Sequence, residues 1–288
     1  MNEALKTKLR KLADRYEVAS FCDEDPSQFL RWYSPEEGRG SVADVEAASF
    51  IAAMLAFGNR KQFIPKIRSV LETADRSGGV AAWLKAGAFC DDFPHGAEKF
   101  YRFYSCDDMQ VFFGELGEIL KKAGSLGAFF ESKYKEGEVS PRSYRESVKK
   151  RAATAGRFRI NHQNAQRQAM PDAPAALHEI ISTSFPKSAI VPKGRTSANK
   201  RIHMFLRWMV RRGSPVDLGL WTWADPADLL IPLDTHVMQE AVKLGLIPQT
   251  SAASRKTAEC LTTALSEVFP GDPCRGDFAL FGLGVDVI

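Results

Sequence analysis

The sequence is poor in cysteine and contains no long apolar segment. Its five cysteines are widely spaced and form no CxxC pair; they are Cys22, Cys90, Cys106, Cys260 and Cys274. This pattern argues against a disulfide framework and against a zinc site. No stretch approaches the roughly 18 apolar residues that a transmembrane helix needs, and the charged N-terminus lacks a signal-peptide core. We therefore expect a cytoplasmic protein with no membrane association and no metal.

Convincing strand patterns are also missing. Nowhere do apolar and polar residues alternate with the period of two that a half-buried strand requires. Apolar residues instead recur with helical spacing, as at Leu5, Leu9, Leu12 and Tyr16. The apolar content of 44% over 288 residues is ordinary for a globular protein and is enough for one large domain or two lobes. The sequence therefore predicts an all-α fold.

The segment after Ser41 predicts a central helix. It begins with a capping-box-like pattern, is apolar almost all round from Ala47 onwards, and ends at Gly58. Asn59-Arg60-Lys61-Gln62 then opens a further helix. Nine aromatic residues follow between 80 and 126, and their helical spacing favours core packing over a surface on which bases stack.

Positive charge is concentrated in one segment. The net charge is only +4, but ten Lys and Arg face four Glu between Glu131 and Met170. Residues 131–175 also lose helical periodicity, which indicates a basic insertion. A local basic excess fits binding to nucleic acid, although a solvated insertion would have the same composition.

The stretch from Ser197 to Gly245 carries the strongest functional signal. Its first part predicts a helix that has Thr196 or Ser197 as N-cap and stops at Gly213. One side of this helix is apolar, with Ile202, Phe205, Leu206 and Met209. The opposite side carries Lys200, Arg207 and Arg211. We therefore expect Lys200 to point away from the core.

A second helix is predicted from Thr235 to Leu244, with Asp234 as its N-cap behind Pro232. A lysine at one helix start and an aspartate at another could meet across a cleft. The alternative is a solvated Lys200 and an Asp234 that only caps its helix.

Segment 231–237 has the sequence IPLDTHV, and segment 243–246 has the sequence KLGL. Together they resemble the (V/L)DTHV…RLGL signature of helix-hairpin-helix DNA glycosylases. With KRIHMFLRWMV at 200–210, the chain is also similar to a narrower family of uncharacterised bacterial conserved hypothetical proteins related to archaeal 8-oxoguanine DNA glycosylase. Segments 41–71, 100–113 and 277–284 fit that family, so the resemblance covers most of the chain.

The resemblance implies a two-lobed helical bundle that spans residues 1–288 as one unit. One lobe would comprise 41–212, including the basic insertion at 131–175, and the other 1–40 plus 213–288. The implied function is a DNA glycosylase, with an associated AP lyase activity, that flips out and excises a damaged base such as an oxidised purine. Damaged double-stranded DNA is the implied partner, no cofactor is needed, and we expect a monomer.

The resemblance also implies roles for individual residues. The catalytic pair would be Lys200 as nucleophile and Asp234 as the stabilising carboxylate. The expected DNA-binding residues are Lys193, Gly194, Arg195, Asn59, Arg60, Arg207 and Arg211. The first three belong to the hairpin loop, and Asn59, Arg60 or Gln62 would fill the gap left by the extruded base. The expected pocket residues are His203, Trp221 and His236.

The hairpin departs from the superfamily pattern. The usual sequence is LPGVGRKTAN, whereas 191–200 has VPKGRTSANK, which lacks one hairpin residue and has Thr196 in place of the lysine. Lys193 is therefore an alternative nucleophile. The altered hairpin also leaves open a non-catalytic DNA- or RNA-binding protein with a degenerate site. A third alternative is a small-molecule enzyme whose pocket is lined by Trp221 and Trp223.

Overall fold

The structure, a computed structural model, describes residues 1–136 and 176–285. The α-helices are α1 (Glu3–Tyr16), α2 (Val42–Leu55), α3 (Arg60–Asp75), α4 (Val80–Ala86), α5 (Phe89–Asp92), α6 (Cys106–Ala123), α7 (Leu126–Glu136), α8 (Leu177–Thr183), α9 (Lys200–Val210), α10 (Thr235–Lys243), α11 (Arg255–Ser266) and α12 (Gly276–Val285). Short 3-10 helices span Ala19–Glu24, Pro26–Arg31, Pro35–Glu37, Pro226–Asp228 and Pro273–Arg275. None of the helices in this described part of the chain is long and apolar enough to cross a membrane.

The prediction of an all-α protein is confirmed at this level, because helices dominate the described residues. The exception is a small antiparallel hairpin of β1 (Lys99–Tyr101) and β2 (Tyr104–Ser105). No alternation of apolar and polar residues in the sequence predicted these strands. The strands are too short for such a pattern to develop. The helix-hairpin-helix type of the bundle stays a prediction.

Helix α2 is the central element, as its composition predicted. Ser41 and Asp44 form a capping box in which each side chain satisfies a backbone N–H of the other. Every residue from Val45 to Leu55 is buried, so the helix contacts neighbours on all sides. The buried carboxylate of Glu46 accepts hydrogen bonds from the amide of Gly127 (2.9 Å) and from the indole of Trp221 (2.8 Å).

The aromatic series between 80 and 126 forms core, as its spacing predicted. Its members Trp83, Phe89, Phe93, Tyr101, Tyr104, Phe112 and Phe113 are all buried. Phe103 is different, since its ring is 65% exposed at the tip of the β-hairpin.

Helix α9 begins later than the sequence predicted. Its N-cap is Asn199, in the left-handed conformation (φ 44°, ψ 42°), and not Thr196 or Ser197. Lys200 is therefore the first helical residue. The apolar side is buried as expected and comprises Ile202, Phe205, Leu206 and Met209.

Buried apolar residues form two clusters. The larger one surrounds α2 and draws on residues from Phe29 to Leu229, together with Cys274. The smaller one contains residues of α1, α10, α11 and α12, together with Ala198 of the loop before α9. The division into lobes 41–212 and 1–40 plus 213–288 stays a prediction. Most of the predicted basic insertion at 131–175 lies outside the described residues, which include only 131–136 at the end of α7.

Candidate functional site

A cleft of about 900 Å³ lies where several elements meet. Its lining comes from the turn between α2 and α3, the start of α9, the start of α10 and helix α12. Five of the residues singled out from the sequence line this cleft and are brought together there, namely Arg60, Lys200, Arg207, Asp234 and His236. This volume falls within the range of roughly 300–1,000 Å³ that small-molecule sites span.

Lys200 and Asp234 form an ion pair in the cleft. The Nζ atom of Lys200 lies 2.7 Å from Oδ2 of Asp234. The lysine side chain is 39% exposed and the aspartate side chain 27% exposed, so both remain accessible from the cleft. This arrangement combines the two alternatives weighed from the sequence, since Asp234 also caps α10 by accepting the amide of Val237 on Oδ1 (2.8 Å).

The environment of Asp234 favours its charged form. Burial raises the pKa of this carboxyl, but the charge and hydrogen bond of Lys200, the amide of Val237 and the charge of His236 act in the opposite direction. The net result is a pKa below the ordinary value. The site therefore holds a carboxylate anion beside an amine, which is suited to stabilising a cation that develops in the cleft.

The start of α9 fixes the backbone from which Lys200 extends. Asn199 is buried, and its Nδ2 donates to the carbonyl of Gly194 at 2.8 Å. Left-handed backbone is uncommon for residues other than glycine and persists only where the surroundings enforce it. Sequence inspection missed Asn199, although asparagine is among the few residues that tolerate this conformation.

Asp277, which was not among the predicted site residues, is a second carboxylate that lines the cleft from the first turn of α12. Burial raises its pKa to about 6, even though the guanidinium of Arg207 acts to lower it. The charges of two other cleft residues also act on the pKa of Asp277: that of Asp234 raises it and that of Lys200 lowers it. A lone acidic residue in the apolar segment GDFALFGLGV was the signal that could have found it.

The expectation that Arg207 and Arg211 are exposed DNA-binding residues is wrong, since they are only 3% and 2% exposed. Arg207 binds Asp217 and Asp277, and Arg211 binds Asp217, Asp272 and Glu17. Both guanidinium groups are therefore held by carboxylates, and although Arg207 lines the cleft, neither group presents an exposed charge to a phosphate backbone. The helical wheel placed them on the side opposite the apolar stripe, but other parts of the chain cover that side too.

Asn59 and Arg60 have different roles at the start of α3. Asn59 is the N-cap, and its side chain accepts the amide of Lys61 at 2.9 Å. Arg60 lines the cleft with its guanidinium 5.2 Å from the centre of the Phe281 ring. Arg60 therefore has a position from which it can meet a ligand, whereas the side chain of Asn59 is engaged in capping.

The loop residues Lys193, Gly194 and Arg195 are exposed beside the cleft but do not line it. The ammonium of Lys193 donates to the carbonyl of Pro186 at 2.8 Å, away from Asp234. Of the two lysines considered as nucleophile, Lys200 is the one that faces a carboxylate in the cleft.

The expected pocket is only partly assembled, since His203 and Trp221 do not join His236. His203 is buried beside His178, with ring centres 4.7 Å apart, at a separate cavity of about 30 Å³. Burial lowers the pKa of both histidines, that of His178 to about 3. Trp221 is 1% exposed and stacks on Trp223, so its indole packs in the core and does not face the cleft.

Comparison with protein families gives one match. A family described as "Protein of unknown function (DUF2400)" matches residues 25–286. The chain belongs to the DUF2400 family. No curated protein and no solved structure matches it.

All residues that line the cleft of this DUF2400 protein except Phe21 lie within the matched region, 25–286. Among its described residues, no group of three or more His, Cys, Asp or Glu side chains is arranged to hold a metal ion. The side chains that line the cleft include an amine, two carboxylates and several aromatic rings.

Proposed function

We propose that the cleft is the active site of a DNA glycosylase with AP lyase activity, in which Lys200 is the nucleophile and Asp234 its partner. The observation that carries this proposal is the 2.7 Å ion pair in a cleft that can hold an extruded base. Base excision needs an amine that can attack the sugar and a carboxylate that stabilises the cationic sugar. The resemblance of segments 231–237 and 243–246 to the glycosylase signature supports the same assignment.

The proposed reaction uses these two side chains directly. Lys200 passes a proton to Asp234, and its Nζ then attacks the C1′ carbon of the extruded nucleotide. As the Nζ–C1′ bond forms, the glycosidic bond breaks, and the base leaves with the bonding electrons and takes up the proton from Asp234. The carboxylate of Asp234 is thereby restored and stabilises the positive charge on the sugar and the attached nitrogen. A proton of this nitrogen then moves to the ring oxygen O4′ as the C1′–O4′ bond breaks, which gives a Schiff base between C1′ and Lys200.

The surroundings of the cleft suit a nucleic acid chain. Lys193 and Arg195 are exposed on the loop that enters α9, and Arg60 lies against Phe281 inside the cleft. In this proposal the loop binds the phosphate backbone, largely through charge, and the cleft receives the flipped nucleotide.

Borohydride trapping tests the proposal. The protein is incubated with duplexes that carry an abasic site or 8-oxoguanine, and sodium borohydride reduces any Schiff base to a stable cross-link. We expect a cross-link with the wild type and with Lys193→Ala, and none with Lys200→Ala. Cross-linking by Lys200→Ala at the wild-type level would contradict the assignment of the nucleophile, as would its loss in Lys193→Ala.

The alternative function is a non-catalytic DNA- or RNA-binding protein on the same scaffold. The same ion pair favours it, because an ammonium held by a carboxylate is not nucleophilic until it loses its proton. This alternative predicts binding without trapping. Affinity should then fall steeply with salt, with a log–log slope of about −0.9 for each neutralised phosphate of duplex DNA. Affinity that stays flat between low and moderate salt would argue against nucleic acid in both cases.

A further inference from the structure

The β-hairpin lies against the rim of the cleft. Tyr101 pairs with Tyr104, so the loop between the strands consists of Arg102 and Phe103 alone. The hydroxyl of Tyr101 donates to the carbonyl of Phe57, which lines the cleft at the turn between α2 and α3. The hairpin tip is therefore anchored to an element of the candidate active site.

Phe103 presents an aromatic ring to solvent from a well-supported position. It is 65% exposed, the highest value among the exposed large apolar residues of the described chain. The exposed ring still has support on one side, since its centre lies 4.6 Å from the ring of Tyr104 and 5.4 Å from that of Phe57. Such a ring is held in place, yet a large part of its apolar surface is not covered by any residue that the structure describes.

Arg102 occupies an unfavourable backbone conformation at the same tip. Its φ of 52° is the value for which two-residue hairpin loops usually use glycine. Its guanidinium carbon lies 5.8 Å from the centre of the Phe57 ring, beside the cleft. A Cβ added at Gly58 would lie only 2.5 Å from the Arg102 guanidinium, which shows how closely the tip packs on the turn.

The resemblance to glycosylases implies that Asn59, Arg60 or Gln62 fills the gap left by an extruded base. The structure makes the first two poor candidates, because Asn59 caps α3 and Arg60 stacks on Phe281 within the cleft. The neighbouring hairpin instead presents the exposed ring of Phe103. We propose that Phe103 is a wedge that enters the base stack beside the extruded nucleotide, while Arg102 binds a phosphate of the adjoining backbone.

This inference rests on the proposed function, since it requires a duplex opened at the cleft. Apolar side chains that enter a base step replace part of the lost stacking, and an aromatic ring does so for any base. The arginine at the tip complements the charge of the phosphate chain, which favours a nucleic acid over an apolar protein surface as the occupant.

Fluorescence of 2-aminopurine tests the wedge. The probe is a duplex with a tetrahydrofuran abasic-site analogue and 2-aminopurine as the base opposite it. Binding of the wild type should raise the fluorescence, because the wedge unstacks the opposite base. Phe103→Ala should lose this rise and bind the duplex roughly tenfold more weakly, in line with the loss of one stacking contact. Phe103→Trp should retain both properties.

Val42→Ala is the matched control. Val42 is also an exposed apolar residue at 47%, but it lies in the first turn of α2, about 20 Å along the helix from the Phe57 end. It should behave as the wild type. If Phe103→Ala gives the wild-type fluorescence rise and affinity, the wedge is refuted, while borohydride trapping through Lys200 can still support the proposed function. If the wild type neither binds this duplex nor forms a trapped complex, both proposals fail.

Discussion

Replacement of Asp234 separates its two roles, that of helix cap and that of catalytic carboxylate. One oxygen accepts the amide of Val237 and the other binds Lys200. Asp234→Asn keeps a capping oxygen, since asparagine caps helices about as well as aspartate, but it removes the charge. Asp234→Ala removes both the cap and the charge.

The structure predicts a small effect of Asp234→Asn on stability. The Lys200 side chain is 39% exposed, so solvent screens the lost ion pair and limits its contribution to about 1 kcal/mol or less. For domains of roughly this size, 1 kcal/mol corresponds to a Tm change of about 2–4 °C. Asp234→Ala should lower the free energy of unfolding by roughly 1 kcal/mol more, because α10 also loses its cap.

The effect of Asp234→Asn on catalysis should be much larger. Loss of one preorganised electrostatic group that stabilises a transition state lowers the rate by roughly 100- to 1,000-fold. The assay is single-turnover excision on the duplex that gives the strongest trapping with the wild type. Thermal unfolding and duplex binding are measured on the same preparations, and binding should persist within a few-fold of the wild type.

The opposite pattern would refute this account of Asp234. If Asp234→Asn lowers the Tm as far as Asp234→Ala does and leaves the excision rate unchanged, the residue is only a structural cap. The resemblance to glycosylases would then describe the fold and not the chemistry of this cleft.

Three further predictions concern Arg211, Arg60 and Asp277. Arg211→Met should destabilise the fold by about 3 kcal/mol, because the buried carboxylates of Glu17 and Asp217 each lose one of their two arginine partners. Arg60→Met should weaken duplex binding with little change in Tm; equal melting of the two variants would contradict this. Because the pKa of Asp277 is raised to about 6, its stabilising contribution is complete below about pH 4 and is lost as the pH rises through about 6. Asp277→Asn should therefore become more stable relative to the wild type as the pH rises from about 4 to about 6, as measured by urea unfolding. A difference in unfolding free energy between the two proteins that stays constant over this pH range would contradict the prediction.

Local sequence determined much of the helical scaffold. The capping box at Ser41 and Asp44 and the apolar run to Leu55 describe a helix that has to be buried on all sides. The cap at Asp234 likewise depends only on residues within one turn of it. Both features were predictable because the interactions that decide them are close in sequence.

The start of α9 was less predictable. Thr196 and Ser197 are good N-caps by residue type, but the chain continues to Asn199 before the helix begins. An antiparallel bridge between Ser197 and Ser254 and a hydrogen bond from the amide of Arg255 to the carbonyl of Thr196 hold this segment extended. Tertiary contacts therefore overrode the local capping preference.

The sequence by itself determined that this chain builds helices, and it singled out Lys200 and Asp234 as the candidate catalytic pair. Only the tertiary structure decided that these two side chains meet at 2.7 Å, that Asp277 joins them in the cleft, and that Arg207 and Arg211 are buried. The partners of the two arginines lie as far away in the chain as Glu17 and Asp277. Helical periodicity reports which side of a helix is apolar, but it carries no information about which distant segment covers the other side.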